Sequence, residues 1–402
     1  NNTIGSRNSA FGFYALPNNT IGTDNSAFGW QALLSNTTGI SNTAVGRSAL
    51  ESNTIGIYNT AVGHSALLTN TTGSFNSAFG FYALKLNTTG INNVAFGFQS
   101  LRENTIGNNN IAIGRDTMVY NTIGQNNTAV GHTALFTNIS GNSNVAVGYQ
   151  SLYSNTIGVQ NTAVGYVALQ FNTIGQRNSA FGNYALNANT TGSNNTAVGY
   201  QSLYLNTIGQ RNSAFGDYSL RANTTGNYNS AFGFHALRYN TTGVSNSAFG
   251  YMSLKFNTTG VNNVSVGFQA LYVNTGGYNN VAIGNAVLQA NTIGINNVAV
   301  GHNSLITNVA GYANTAVGFQ ALENNNNNFN SAFGYRALRA NTTGGLNTAV
   351  GYRSLLANTI GSNNTFLGFE ADVASNNLSN VTAIGNGAVV SASNTIWPLV
   401  AP

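Results

Sequence analysis

The sequence contains no cysteine, only three prolines and very little charge, since charged residues make up 5% of its 402 positions. The absence of cysteine excludes disulfide bonds and thiolate metal sites. Because charged side chains are scarce, the solubility of the chain must come from its amide and hydroxyl groups. The formal net charge of +5 is spread over 13 basic and 8 acidic residues. Basic residues at this low density do not form a phosphate-binding stripe, so we expect no nucleic-acid partner.

Long apolar runs are also missing. Because a membrane helix needs about 18 or more apolar residues in succession, we expect no membrane-spanning segment in this chain. There is no initiating methionine and no signal peptide, and residues 1–5 already follow the repeat described below, so we expect a processed product or a fragment. Uniform repetition predicts a single domain over residues 1–402, regular over 1–370 and diverged, with a tail, over 371–402.

One pentapeptide organises the chain. It stands as Asn-Ser-Ala-Phe-Gly at 25–29, and its glycine recurs 23 times from Gly12 to Gly385, each 17 residues after the last. The spacing breaks once, between Gly318 and Gly334, where an asparagine run at 324–328 replaces the usual turn. A repeat of this regularity is typical of a stacked architecture.

Numbered from its asparagine, the repeat reads Asn (position 1), Ser/Thr, Ala (3), Val/Phe (4), Gly (5), a variable pair rich in aromatic and polar residues (6 and 7), Ala/Ser (8) and Leu (9). After two variable residues come Asn (12), Thr (13), Thr/Ile (14), Gly (15) and two more variable residues. Two glycines and two asparagines per repeat disfavour a helix. Seventeen residues are too few for a propeller blade. We therefore predict an all-β fold, a parallel β-solenoid with one repeat per coil and about 23 coils.

Stacking of identical positions predicts the core. Leucine fills position 9 in 20 of the 23 repeats, which indicates a central column. We expect positions 4 and 14 to complete this core and alanine at position 3 to face a contact where nothing larger fits. The glycines are expected to permit positive φ at the corners, and the asparagines to stack as amide ladders that satisfy the turns.

Two segments resemble a known family. Residues 380–394, which begin Asn-Val-Thr-Ala-Ile-Gly, and residues 280–284, Asn-Val-Ala-Ile-Gly, are similar to the head repeat of the YadA-like trimeric autotransporter adhesins. The resemblance implies a left-handed parallel β-roll, three chains side by side and display outside the cell. The segment at 371–375, Ala-Asp-Val-Ala-Ser, also resembles one that ends Asn-Thr-Ala-Val-Gly arrays in bacterial and phage surface fibres. The period of 17 is longer than that of the usual adhesin head.

No group of residues points to catalysis. The four histidines lie on well-separated coils, which predicts no shared metal. Of the dispersed acids, Glu370 and Asp372 are near each other, but they lack a partner base or pocket. No Gly-x-Ser-x-Gly elbow is present. We therefore expect no enzyme, no catalytic residues, no metal and no cofactor. The histidines are His64, His132, His235 and His302.

Two columns are candidates for binding or modification. Position 6 is rich in aromatic residues, which either form an exposed stripe for glycans, a host surface or other fibres, or pack between coils or chains. Its candidate surface-binding members are Trp30, Tyr149, Tyr166, Tyr200, Tyr251 and Tyr352. Positions 12–14 often read Asn-Thr-Thr, which is either a glycosylation acceptor or a by-product of composition. The candidate glycosylation sites are Asn36, Asn70, Asn87, Asn189, Asn223, Asn240, Asn257 and Asn341.

The function expected from these features is structural and adhesive. We expect an extracellular or cell-surface fibre that associates with itself, as a homotrimer, and presents a repetitive surface to a host surface or to glycans. The alternative is a filament subunit, glycosylated or not, that stacks end to end. An ice-binding solenoid and a phage tail-fibre component or polysaccharide depolymerase rank lower.

Overall fold

A computed structural model describes residues 4–398, without the side chains of residues 397 and 398. Within this range the chain forms strands and turns and no helix. It divides into two compact units, Asn1–Tyr200 and Gln201–Pro402. Each unit is a parallel β-solenoid with a 17-residue repeat, and the repeats make about 22 turns in all, which confirms the predicted fold class. The single domain and the left-handed coil stay predictions, and tail residues 399–402 lie outside the described range.

The first unit contains one short strand per turn, at positions 2–4 of the repeat. These strands are β1 Ser9–Phe11, β2 Ser26–Phe28, β3 Thr43–Val45, β4 Thr60–Val62, β5 Ser77–Phe79, β6 Val94–Phe96, β7 Ile111–Ile113, β8 Thr128–Val130, β9 Val145–Val147, β10 Thr162–Val164, β11 Ser179–Phe181 and β12 Thr196–Val198. Within this unit successive strands pair in parallel from β1 to β12, and equivalent residues lie opposite each other, as Ala27 and Ala44 do. This register places every side chain on its counterpart one turn away.

The second unit repeats this plan until its C-terminal turns. Its strands are β13 Ser213–Phe215, β14 Ser230–Phe232, β15 Ser247–Phe249, β16 Val264–Val266, β17 Val281–Ile283, β18 Val298–Val300, β19 Thr315–Val317, β20 Ser331–Phe333, β21 Thr348–Val350, β22 Thr365–Leu367, β23 Asp372–Val373, β24 Thr382–Ile384, β25 Val389–Val390 and β26 Ile396–Pro398. From β13 to β22 each pairs with the next. Then β24 pairs with β22 and with β26, while β23 pairs with β25 in a second sheet.

Fewer apolar positions of the repeat are buried in the core than the sequence predicts. Leucine at position 9 and alanine at position 3 are fully buried, as in Leu33 and Ala27, which confirms these two columns. The expectation for positions 4 and 14 is wrong, because Phe28 is 43% and Ile55 52% exposed. Successive residues of a strand point to opposite faces, so an inward alanine at position 3 turns position 4 outward. Alanine or serine at position 8 and the asparagine amides fill the remaining interior.

The asparagines form the predicted ladders. In the position-12 column, Asn36 donates from Nδ2 to Asn19 Oδ1 of the preceding turn at 3.0 Å. Its second Nδ2 hydrogen goes to the backbone oxygen of Gly39 at 3.1 Å. The same oxygen accepts from Asn25 Nδ2 of the position-1 column at 2.8 Å, and Asn25 Nδ2 also contacts Asn8 Oδ1 at 3.2 Å. The two ladders thus meet at one carbonyl in each turn and fix the turn backbone.

The coil closes through left-handed backbone at residues other than glycine. In one turn Gln31, Leu33 and Ser41 have φ of 57°, 52° and 58°, and the equivalent positions 7, 9 and 17 repeat this along the chain. Such a conformation is unfavourable by roughly 1–2 kcal/mol for an L-residue. Gly29, with φ of 140°, fits the expectation for position 5. Gly39 does not, since its φ is not left-handed; it is glycine because a Cβ would overlap Asn36 Oδ1 and the next turn.

One turn of the second unit is a residue short, and side-chain amides replace the missing backbone. Asn326 Oδ1 accepts from the backbone N of Val309 at 2.9 Å, and Asn328 Oδ1 accepts from Tyr312 N at 2.9 Å. The backbone oxygen of Asn327 takes the place of the missing glycine carbonyl. The position-12 ladder is interrupted here, because Asn308 Oδ1 is buried without a hydrogen-bond partner.

Candidate functional site: the outer side-chain columns

The six candidate aromatic residues all belong to the position-6 column and are exposed. Their side chains are between 38% and 45% accessible in Trp30, Tyr149, Tyr166, Tyr200, Tyr251 and Tyr352. The column begins directly after the position-5 glycine, whose backbone turns the chain away from the strand. Equivalent residues stack turn on turn, so rings stack wherever neighbouring turns both carry one, as Tyr149 and Tyr166 do at 5.3 Å. These six side chains are therefore accessible, and their role as a binding surface stays a prediction.

The rings stack nearly parallel. The longest series in the second unit runs through five turns, with centroid separations of 5.3, 5.2, 5.2 and 5.0 Å and interplanar angles of 11° or less. We call this series the ring ladder; it consists of His302, Phe319, Tyr335, Tyr352 and Phe369. Separations of this size indicate offset stacking, which is favourable for aromatic pairs. The rings thus pack between turns and still present their outer edges, so the two interpretations offered by the sequence are compatible.

Cations interrupt the same column in the first unit. The Arg47 guanidinium lies 4.7 Å from the ring centre of Trp30, one turn away, and Arg115 lies 5.6 Å from Phe98. Three of the four histidines also belong to position 6, and His64 stacks on Phe81 at 5.2 Å. A flat cation or an imidazole can take a place in a ring stack with little loss of contact.

A second apolar column runs beside the first. Position 4 carries Phe, Val or Ile on the outer face of the strands, and Phe215, Phe232 and Phe249 stack at 4.7 and 4.9 Å with interplanar angles of 7° and 4°. Positions 4 and 6 together leave a broad apolar surface, which monomeric soluble proteins rarely expose. The sequence interpretation missed it by placing position 4 in the core. Strict period-2 alternation within the three-residue strand was the available signal.

The eight candidate glycosylation sites all belong to the buried position-12 ladder. Each asparagine has no accessible surface. In Asn70, for example, Nδ2 donates both hydrogens, to Asn53 Oδ1 at 2.8 Å and to the backbone oxygen of Gly73 at 2.9 Å. A glycan on Nδ2 removes one of these donors and has no space. In the folded chain these sites are inaccessible, so a glycan there would require attachment before folding; whether any is attached stays a prediction.

Other acceptor tripeptides place their asparagine on the surface. In three turns an Asn-Asn-Thr sequence puts an exposed asparagine at position 17 and threonine at position 2. These asparagines are Asn126, Asn194 and Asn363, with φ of 58°, 61° and 59°. The sequence interpretation overlooked them, although the same Asn-x-Thr rule applied one residue before each repeat identifies them.

The structure separates the two neighbouring acids. Glu370 lies 3.5 Å from Arg353 as an exposed pair. Asp372 instead accepts hydrogen bonds from the backbone N of Ala357 at 3.0 Å and Val373 at 2.8 Å, and burial raises the pKa of its carboxyl. Asp372 replaces the position-9 leucine, and in the same turn the fully buried Phe366 replaces the position-3 alanine. Asp372 therefore belongs to an altered core, whereas Glu370 lies on the surface, and the two do not share a cleft.

Metal and membrane features were searched over residues 4–398. In that range no three histidine, aspartate or glutamate side chains lie close enough to hold a metal ion. The same range contains no helix of the length and apolarity that crossing a membrane requires. Comparison with known proteins found no matching family model and no matching curated protein. The likeness to YadA-like heads therefore stays a hypothesis.

Proposed function

We propose that this chain is an extracellular structural and adhesive protein that attaches to surfaces through its outer side-chain columns. The observation that carries this proposal is the ring ladder, in which five aromatic or imidazole side chains are stacked in register on the outside of a coil whose core is already full. Side chains that fill no cavity and still recur turn after turn suit contact with a partner.

Rigidity supports this role. Each turn is fixed by buried asparagine ladders and by backbone hydrogen bonds to the next turn, so the outer columns are held at a constant spacing. Contacts that are individually weak gain in effective affinity when many are presented together at fixed distances. The exposed apolar positions 4 and 6 also suit packing against further copies of the chain, and the family resemblance favours three chains.

Ice binding is less well supported. The most regular threonine column is position 13, and its hydroxyls donate inward to backbone oxygens of the next turn, as Thr37 Oγ1 does to Thr54 O at 3.2 Å. Thr54 Oγ1 and Thr88 Oγ1 make the same bond at 3.1 and 3.0 Å. Hydroxyls engaged in this way have no hydrogen left with which to order water, so the adhesive role is preferred.

The test uses beads coated with the full chain. Their attachment is counted on surfaces of mucin, dextran and polygalacturonate, for the wild type and for the variant Y335S/Y352S/F369S. We expect the ring-ladder variant to attach roughly tenfold less, because multivalent binding declines steeply when each contact weakens. The matched control Y312S/F329S/L346S removes three exposed apolar side chains, one at position 16 and two at position 17, and should attach like the wild type. Equal attachment of both variants, or no attachment by the wild type, would overturn the proposal.

A further inference from the structure

A basic column lies at position 10 of the second unit. Arg221, Arg238 and Lys255 occupy this position in three successive turns. Their backbones are in register, since Ala222 N donates to Arg238 O at 2.9 Å and Tyr239 N donates to Lys255 O at 3.0 Å. Neighbouring turns of a β-ladder are about 4.8 Å apart. Three of the 13 basic residues of a sparsely charged chain are therefore stacked at the closest spacing that the fold permits.

These cations lack the carboxylate partners that other arginines have, and Arg221 Nε donates instead to the neutral Gln201 Oε1 at 2.7 Å. Elsewhere Arg102 pairs with Glu103 at 2.8 Å, and four further arginines form ion pairs with carboxylates. Among the described residues, no carboxylate forms an ion pair with Arg221, Arg238 or Lys255. The three side chains are half-buried, and Arg238 Nε is buried without a hydrogen-bond partner. Like charges one turn apart repel one another, and partial burial strengthens the repulsion. Such a column is stabilised by an anion that spans it.

The residues around the basic column add no positive charge. His235 lies against Arg238, with the guanidinium Nη1 3.2 Å from its Nε2. Burial first, and then Arg238 and Lys255, lower the pKa of this imidazole to about 4, so it is neutral at pH 7. Asp217 is the acid near enough to influence His235. The basic column therefore offers three charges to a ligand, with one carboxylate nearby at position 6.

Aromatic rings hold the cations in place. The Arg221 guanidinium lies 5.4 Å from the ring centre of Tyr204, and Arg238 lies 5.1 Å from that of Tyr239. Lys255 Nζ lies 4.8 Å from the ring centre of Phe256, which stacks on Tyr239 at 5.1 Å. Cation–π contacts orient a charged group without neutralising it. The surface therefore alternates fixed positive charges with half-exposed aromatic rings.

We infer that the basic column binds an anionic polysaccharide, with one carboxylate or sulfate group at each of the three cations and sugar rings packed against the flanking aromatic side chains. Guanidinium groups bind carboxylate and sulfate oxygens strongly, and the apolar face of a sugar ring packs well on an aromatic ring. Three charges are few for a nucleic-acid track, which neutralises many phosphates. The inference rests on the proposed attachment role for its biological setting, although it uses different residues from the ring ladder.

The first unit contains a similar pair of position-10 cations that serves as a control, because we expect it not to bind the anionic polysaccharide. Lys85 and Arg102 occupy position 10 in successive turns, beside Tyr82, and help to line a pocket of about 200 Å³. Lys85 Nζ lies 4.2 Å from the ring centre of Tyr82. Glu103, however, pairs with Arg102 at 2.8 Å and neutralises one of the two charges. This pair belongs to the same column and also contacts an aromatic ring, but only one of its charges, that of Lys85, is left without a carboxylate partner.

The experiment measures binding of the purified full chain to fluorescent polygalacturonate and heparin, with dextran and a thymidylate oligonucleotide for comparison. We expect binding to one or both acidic polysaccharides, weakening as salt rises, and none to dextran. The variant R221Q/R238Q/K255Q should bind roughly tenfold or more weakly, since three charge contacts act together. The control K85Q/R102Q should bind like the wild type, and R221K/R238K should retain most binding.

Three results would overturn the inference: equal binding by the triple variant and the wild type, equal losses in both glutamine variants, or tighter binding of the oligonucleotide than of either polysaccharide. Circular dichroism of each variant verifies that it is folded. The ring-ladder variant separates this inference from the proposed function. Its soluble polygalacturonate binding should be normal while its bead attachment falls. If its bead attachment equals that of the wild type while R221Q/R238Q/K255Q loses polysaccharide binding, the proposed function fails and this inference stands. If its bead attachment falls while R221Q/R238Q/K255Q binds polysaccharide like the wild type, this inference fails and the proposed function stands.

Discussion

Ser253 donates a hydrogen bond from Oγ to Oγ of Ser265, 2.7 Å away, inside the core of the second unit. Serines at position 8 in four other turns donate to the position-5 carbonyl of their own turn, as Ser151 does to Gly148 at 3.1 Å. Ser265 stands at position 3, where alanine is usual, and passes its own hydrogen to Ala270 O at 2.8 Å. A polar substitution in one column is thus satisfied by a polar residue of another.

This arrangement predicts coupling between the two serines. Either S253A or S265A leaves the remaining hydroxyl one backbone acceptor, so each should lower the free energy of unfolding by only about 0.5–1.5 kcal/mol. The double variant should lose less than the sum, because it removes the whole polar pair. Urea unfolding of the four proteins measures the coupling. Strictly additive losses would show that the 2.7 Å contact contributes nothing.

The asparagine ladders predict a large difference between adjacent residues. Asn110 is buried and donates from Nδ2 to Asn93 Oδ1 at 3.2 Å and to Gly124 O at 2.8 Å. N110D replaces these donors by a buried acceptor and charge and should lower the free energy of unfolding by at least about 3 kcal/mol. Asn109 is exposed, so N109D should change it by roughly 0.5 kcal/mol or less. Equal losses in chemical unfolding would contradict the burial of the ladder.

Two adjacent glycines should respond in opposite directions to alanine. A Cβ on Gly277 would overlap Asn274 Oδ1 and Gly294 O, so G277A should lower the free energy of unfolding by about 1–3 kcal/mol or more. The nearest atom to a Cβ on Gly276 is Thr259 Oγ1, 3.6 Å away. G276A therefore meets no clash and should raise the free energy of unfolding by about 0.4–1 kcal/mol through the unfolded chain. Thermal unfolding compares the two, and a stabilising G277A would refute the close approach.

His235 predicts a specific pH dependence. Its pKa falls from about 6.5 in the unfolded chain to about 4 in the fold, because of burial and of Arg238 and Lys255, with Asp217 opposing. Between these values the unfolded chain takes up a proton that the folded chain does not, so acidification from pH 6.5 to 4 lowers the free energy of unfolding. H235Q lacks this contribution. The melting temperature of the wild type should therefore drop further than that of H235Q between pH 7 and 4.5, and parallel drops would contradict the assignment.

Much of the fold could be predicted because each column repeats one residue type. Twenty leucines at a constant spacing identify a core, and paired asparagines identify the ladders. Hydrophobicity alone places Phe28 and Ile55 in the core. For Phe28 the alternation about Ala27 indicates the outward direction, whereas Ile55 lies outside the strands and has no such signal. The left-handed φ of Leu33 was equally hidden, because it follows from closing a 17-residue coil and not from the preference of leucine.

For the candidate sites, the sequence predicts which residues share a column but not which contacts their side chains make. Sequence spacing placed Tyr352 and its equivalents together, whereas the nearly parallel stacking of their rings depends on the register of the turns. An Asn-Thr-Thr tripeptide has the same sequence whether its amide is buried or exposed. The tripeptide at Asn70 therefore matches a glycosylation acceptor although its side chain is buried. The missing hydrogen-bond partner of Arg238 Nε could not be predicted, because it depends on neighbours that are distant in the sequence.

The structural effect of the residue missing from the turn at Asn324–Asn328 is confined to that turn. Thr315 pairs with Ser331, and Ser331 with Thr348, so strands before and after the missing residue keep identical register. A lost residue is absorbed by amides that stand in for peptide groups, and whole turns need no adjustment to be gained or lost. Because each turn depends on its neighbours through this one register, adding or removing a whole 17-residue repeat should leave the remaining turns unchanged, so repeat number and turn structure are separable properties.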